Sequence, residues 1–215
     1  MSLPYILGCS RPELTKDERL FFNDNQPFGF ILFQRNCVSK TQVQELIYNL
    51  RDSVNHFTPI FIDQEGGRVQ RLKEPVWRKA PTSASFGKIF EINEELATQL
   101  VFQNARLIAE ELQVLGIDVN CAPVLDLLES NASDIIGDRA FSTNPHTTSI
   151  LGRSFVKGLE NGGVASVVKH IPGHGRAKVD SHLSLPKIDT ELTELKKRDF
   201  LPFVVLNDSP AAMTG

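Results

Sequence analysis

A chain of 215 residues with a formal net charge of -3, 41% apolar residues and no low-complexity tract has the make-up of an ordinary soluble globular protein of one or two domains. No apolar run reaches the roughly 18 to 20 residues that span a bilayer, and MSLPYILGCSRPELTKDER lacks a basic region ahead of its short apolar patch, so a cytoplasmic protein without a membrane partner is expected. Dispersed Lys and Arg exclude the electrostatic footprint of a nucleic-acid binder; Cys9, Cys37 and Cys121, scattered and outside any CxxC spacing, exclude a disulfide framework and read as buried thiols.

In chain order, YILG around Tyr5 predicts a first strand. Thr15 and Glu18 in TKDERLFF form a capping-box pattern that predicts a helix start. FGFILF from Phe28 predicts the second strand, and SKTQVQELIYNLRDSV, with Ser39 and Gln42 in the same relation, the second helix. PIFID from Pro59 is the third strand. The segment EINEELATQLVFQNARLIAEELQVLG places Leu96, Leu100, Leu107, Ile108, Leu112 and Leu115 on one side of a long helix that ends at Gly116. DVNCAPVLD from Asp118 is the fourth strand, a helix over about 146–160 stops before Asn161-Gly162-Gly163, and ASVVKH from Ala165 is the fifth strand. A helix over 191–206 with Thr190 as its N-cap and a last strand, AAMTG, complete the pattern.

Apolar strands separated by helices predict a parallel sheet covered on its outer face. Six strands in this order are two short of a closed (β/α)8 barrel, and 215 residues fall below the roughly 250 typical of it. The expected fold is therefore α/β, a TIM-type barrel carried to about its sixth strand, with an open doubly wound sheet as the alternative. Polar residues gather where the strands end: Asp63-Gln64-Glu65, Asp126, and Lys169-His170. Ligands of parallel α/β folds bind at such ends.

The stretch VKHIPGHGRAKVDSHLSLP is dense in histidine. His170, His174 and His182 read as metal ligands only if they form a loop site, because Pro172 and Gly173 break the helix that a four-residue spacing needs. A second reading separates their roles. Lys169 and His170 present a cation and a hydrogen-bonding ring suited to a polyhydroxylated ligand. Gly173 and Gly175 allow positive φ in a sharp turn, where His174 either braces the backbone or touches substrate. Asp180 and His182, two apart in an extended loop, project to one side, where the carboxylate orients the imidazole. That pair is either a general acid/base dyad or a pin for a surface loop.

DQEGGRVQRL offers Asp63 as an acceptor and Arg71 as a planar fork of donors, with Gly66-Gly67 letting the backbone pass close to something; a turn with surface ion pairs is the plainer reading. Arg139 in GDRAFSTNP reads equally as a solvated loop arginine, Asp126 as a cap on the following loop, and Trp77 as a packed loop anchor rather than a sugar platform.

ILFQRN, IDQEGGRVQRL, APVLD, GDRAFSTNP, VVKHIPGHG and DSHLSLP, in this order, resemble glycoside hydrolase family 3, and within it the bacterial cytoplasmic β-N-acetylglucosaminidases of peptidoglycan recycling. The likeness runs over essentially the whole chain, residues 1–215 being the family's N-terminal catalytic barrel domain without the barrel's last part. The resemblance implies removal of terminal β-linked N-acetylglucosamine with retention, through a covalent glycosyl-enzyme. Asp63, Arg71, Arg139, Lys169 and His170 would hold the sugar, and His182 would transfer the proton, oriented by Asp180. That departs from the usual pair of carboxyl groups. No metal or other cofactor is implied. The implied partner is a carbohydrate, N-acetylglucosamine linked to anhydro-N-acetylmuramic acid peptides, acted on by a monomer. The family's aspartate nucleophile belongs to an SDD-like strand end that nothing here matches, so these 215 residues alone are expected to bind sugar without turning it over.

Overall fold

The structure, a computed structural model, describes residues 2–129, 135–177 and 187–215. Six parallel strands form one curled sheet, with each strand beside its predecessor: β1 (Leu3–Leu7), β2 (Pro27–Leu32), β3 (Ile60–Ile62), β6 (Val119–Asn120), β7 (Ala165–Ile171) and β8 (Ala211–Thr214). That order is the winding of a TIM-type barrel; a doubly wound sheet reverses direction at a switch point, and this one does not. All six predicted strands are present. Two short strands, β4 (Gln64–Gly66) and β5 (Val69–Gln70), make a separate antiparallel hairpin directly after β3.

The helices are α1 (Lys16–Asn25), α2 (Lys40–Asp52), α3 (Ser83–Phe90), α4 (Glu94–Leu115), α5 (Pro145–Asn161), α6 (Leu192–Lys197) and α7 (Leu201–Val205). At α1 the capping box is complete: Thr15 Oγ1 accepts from the Glu18 N–H, and the Glu18 carboxylate accepts from the Thr15 N–H. At α2 only half of it forms. Ser39 Oγ accepts from Gln42 N–H, while the Gln42 side chain takes the N–H of Val38 instead of Ser39.

Two helices differ from expectation. In α4, Leu96, Leu100 and Leu107 are exposed, and Ala97, Val101, Ala105 and Ala109 join Ile108, Leu112 and Leu115 in the core. The cause is the closeness of α5: a Cβ on Gly158 would lie 2.4 Å from Phe102 O, and one on Gly162 would lie 2.3 Å from the Ala109 Cβ. Only small residues fit that seam, so leucines are displaced to its flanks. The helix expected over 191–206 is split into α6 and α7, and Glu191, not Thr190, is the N-cap of α6. Pro202 lacks an N–H and its ring clashes with the carbonyl four residues back, so it can start a helix but not continue one.

Strand alternation divides the apolar residues between two faces. Ile60 and Ile62 point to the large outer core shared with the helices. Phe61 points inward to a smaller cluster with Val119, Cys121 and Val167. Asp63 follows Phe61 by two residues, and Lys169 follows Val167 by two, so the same alternation delivers both to the inner face at the strand ends. Burial pushes the Cys9 thiol up to about 11 and those of Cys37 and Cys121 to about 12, so all three stay protonated and free at neutral pH. Among the described residues no helix is long and apolar enough to cross a membrane.

Candidate active site

The site begins with two buried amides. Asn120 on β6 accepts from the Gln64 N–H and donates to the Gln64 carbonyl, at 3.0 Å each, clamping the chain where it leaves β3. The Gln64 side chain then acts as a strand partner: its Oε1 accepts from the N–H groups of Arg71 and Leu72 at 2.9 and 3.1 Å, and its Nε2 donates to Leu72 O. This folds the hairpin back so that Arg71 lies beside Asp63. The turn uses Gly66 and Gly67 at φ of +106° and +57°, where a Cβ would lie 2.3 Å from Pro81 O and 2.5 Å from Thr82 Cγ2. The close approach expected of this Gly-Gly pair is thus to the chain's own Pro81-Thr82 segment.

Five charged side chains meet in an alternating row. Arg71 Nη2 is 2.9 Å from Asp63 Oδ2, Asp63 Oδ1 is 2.8 Å from Lys169 Nζ, and Lys169 Nζ is 2.6 Å from Glu65 Oε1. Glu65 in turn receives both Nε and Nη2 of Arg139 at 2.8 Å each. Arg139 stands on a 3-10 turn, Gly137–Arg139, that Arg68 ties to the hairpin through Asp138 and the carbonyl of Ile135. The reading of Arg139 as a solvated loop residue is overturned, because a paired fork of this kind fixes the guanidinium plane.

Burial and charge oppose each other throughout the row. Burial by itself would neutralise Lys169, but Glu65 and Asp63 outweigh it and hold the ammonium above its usual range. Burial by itself would raise Asp63, and Lys169 followed by Arg71 reverses that. Glu65 is likewise held low, against its burial, by the Arg139 hydrogen bonds and the charge of Lys169. The row is therefore ionised at neutral pH, with three cations and two anions.

His170 stands at the edge of this row. Its Nδ1 lies 2.6 Å from Asp126 Oδ2, while Asp126 Oδ1 accepts from the N–H groups of His174 at 2.7 Å and His170 at 3.3 Å. Asp126 does cap the following loop, as expected, and it also grips the ring. His174 is buried, with its ring centroid 5.9 Å from that of His170. Gly173 takes φ of +128°, but Gly175 does not have positive φ; it is required because a Cβ there would lie 1.9 Å from Leu127 O. Trp77 packs into the outer core with Leu112 and Leu115.

Asp180 and His182 lie outside the described residues. Among the described residues no group of three His, Cys, Asp or Glu side chains could hold a metal ion. Asp63, Arg71, Arg139, Lys169 and His170 are brought together at the mouth of the sheet. Glu65, noted only among the polar residues at that strand end, was given no role in the site, although it stands two residues after Asp63 in extended chain and so projects to the same side.

The arrangement offers fixed donors and acceptors to a polyhydroxylated ligand. The model of the glycosyl hydrolase family 3 N terminal domain matches residues 7–215. A beta-hexosaminidase from Idiomarina loihiensis is 40% identical over 201 residues, covering 94% of this chain and 59% of its own length. One from Methylococcus capsulatus is 42% identical over 195 residues, 91% and 57% of the two chains. The crystal structure of NagZ from Neisseria gonorrhoeae in complex with N-trifluoroacetyl-D-glucosamine superposes with a TM-score of 0.94 at 34% identity, covering 100% of this chain and 63% of that one. The chain thus spans about three fifths of the length of these relatives, and by motif order, winding and these matches it belongs to glycosyl hydrolase family 3.

Proposed function

We propose that the whole protein is a retaining, exo-acting β-N-acetylglucosaminidase that trims terminal N-acetylglucosamine from anhydro-N-acetylmuramic acid peptides, as a cytoplasmic monomer in cell-wall recycling. The observation that carries this reading is the ionised row at the strand ends, which presents the part-exposed Asp63, Arg71 and Arg139 beside His170. Asp63 accepts hydrogen bonds from sugar hydroxyls, and the two guanidinium groups donate to ring substituents. The gonococcal neighbour's complex with an N-acylated glucosamine supports this class of occupant.

In this reading His182, oriented by Asp180, protonates the departing glycosidic oxygen as an aspartate nucleophile attacks the anomeric carbon. The same imidazole then removes a proton from the water that cleaves the glycosyl ester, which restores the carboxylate and releases the sugar with retained configuration. The test is hydrolysis of an aryl N-acetyl-β-glucosaminide by the full-length gene product without added metal. His182→Ala should abolish turnover and leave sugar binding intact. Loss of activity on chelation would point instead to a metal-dependent hydrolase, and sugar binding without turnover by the unaltered protein would make it a non-catalytic sugar binder.

A further inference from the structure

We propose that Glu65 is a positioning residue for the sugar: it never touches the ligand, and it sets the spacing of Lys169 and Arg139 so that Asp63 remains available to sugar hydroxyls. The proposal rests on the sugar-site reading above. Glu65 is 4% exposed at its side chain, against 14% for Asp63, so the two carboxylates of this row have different access to a ligand. Both Glu65 oxygens are already engaged: Oε2 receives Arg139 Nε, and Oε1 receives Arg139 Nη2 and Lys169 Nζ. A two-point contact fixes the plane of Arg139, and the shared Oε1 fixes how far Lys169 stands from it.

Charge counting shows what would follow without it. Three cations, Arg71, Lys169 and Arg139, would then share Asp63 as the one anion of the row. Lys169 is almost wholly buried and cannot turn to water, so it would draw more closely on Asp63. The Asp63 oxygens would be taken by cations rather than offered to hydroxyls, and Arg139 would lose the partner that aims it. Glu65 is also the largest of the charges holding the Lys169 ammonium above its ordinary range, so its loss makes Lys169 easier to deprotonate.

The experiment uses the full-length protein, N-acetylglucosamine titrated by calorimetry from pH 6 upward until the unaltered protein loses its binding, and turnover of the aryl glycoside. Glu65→Gln should weaken sugar binding at least tenfold at neutral pH and move the alkaline loss of binding to lower pH. Glu65→Asp keeps the charge on a shorter arm that reaches only one of the two cations. It should lose affinity while its alkaline limb stays where the unaltered protein has it. A residue serving only stability would move neither affinity nor limb in variants that remain folded. Unchanged affinity and limb in folded Glu65→Gln overturn the proposal. Should that variant not fold, full affinity in Glu65→Asp overturns it and a tenfold loss supports it. If the unaltered protein binds no sugar, the functional reading falls and takes this one with it; if it binds and the variants match it, only the role of Glu65 falls.

Discussion

The imidazole of His170 and the carboxylate of Asp126 form a 2.6 Å pair in which the acid is wholly buried and its second oxygen is held by two backbone N–H groups. The ring cannot rotate without leaving Asp126 Oδ2 unpaired, so its orientation toward the strand ends is set from behind. Asp126→Asn keeps the oxygen that caps the loop but can turn an amide donor toward Nδ1, moving the ring proton to Nε2. The expected outcome is a native-like unfolding midpoint with sugar affinity reduced about tenfold, roughly 1.4 kcal/mol. Calorimetry with N-acetylglucosamine on both proteins checks it; equal affinities would separate His170 from the ligand.

The ionised row makes stability depend on pH at both extremes. Asp63 and Glu65 are held below their ordinary values of 3.8 and 4.5, so their contribution is complete above those values and is lost as the pH falls through the lower folded ones. Lys169 is held above 10.5, so its contribution is complete below that pH and is lost as the pH rises through its folded value. Urea midpoints should be flat in this respect between about pH 5 and 10 and fall on either side. Glu65→Gln should make the acid fall shallower.

Gln64 supplies hydrogen bonds that a strand partner would otherwise make. Gln64→Leu keeps the volume and removes the acceptor from the buried N–H of Leu72 and the part-buried N–H of Arg71. A loss of about 2 to 4 kcal/mol is expected, together with weaker sugar binding because Arg71 no longer has a fixed place beside Asp63. Denaturant unfolding and a sugar titration on the same sample measure the two effects. Stability lost with affinity intact would mean that Arg71 is held by Asp63 alone.

Gly175→Ala tests how tightly the turn after β7 is packed. The added methyl would meet Leu127 O at 1.9 Å, and a backbone atom cannot move aside as a flexible side chain can. The expected cost is about 2 to 4 kcal/mol, with His174 displaced from Asp126. A thermal midpoint within a degree of the unaltered protein's would contradict the packing described.

The strands were legible because a buried parallel strand is a short apolar run bounded by polar residues, and here three of the six runs lead into residues of the site: Asp63, Asp126 and Lys169-His170. The helix starts at Thr15 and Ser39 were visible because capping is local chemistry, although only Thr15 completes its box. What could not be read was decided by partners far along the chain. The face of α4 depends on glycines in α5, which turn alanines into the better core residues. Arg139 reads as solvated until Glu65 is seen opposite it, 74 residues away. Glu65 itself was legible in principle, since the two-residue alternation that places Asp63 places it as well. Asp180 and His182 rest on their two-residue spacing and on the family resemblance, and lie outside the described residues.

The pairs that build the site join residues distant in sequence: 56 positions between Gln64 and Asn120, 74 between Glu65 and Arg139, and 106 between Asp63 and Lys169. The first needs β3 beside β6 and the last needs β7 in place as well, and closing such long loops slows a folding chain. The local helices can gain their signal well before that. In a refolding experiment the return of sugar affinity should therefore lag behind the return of helical ellipticity, so that ligand binding serves as a clock for completion of the sheet.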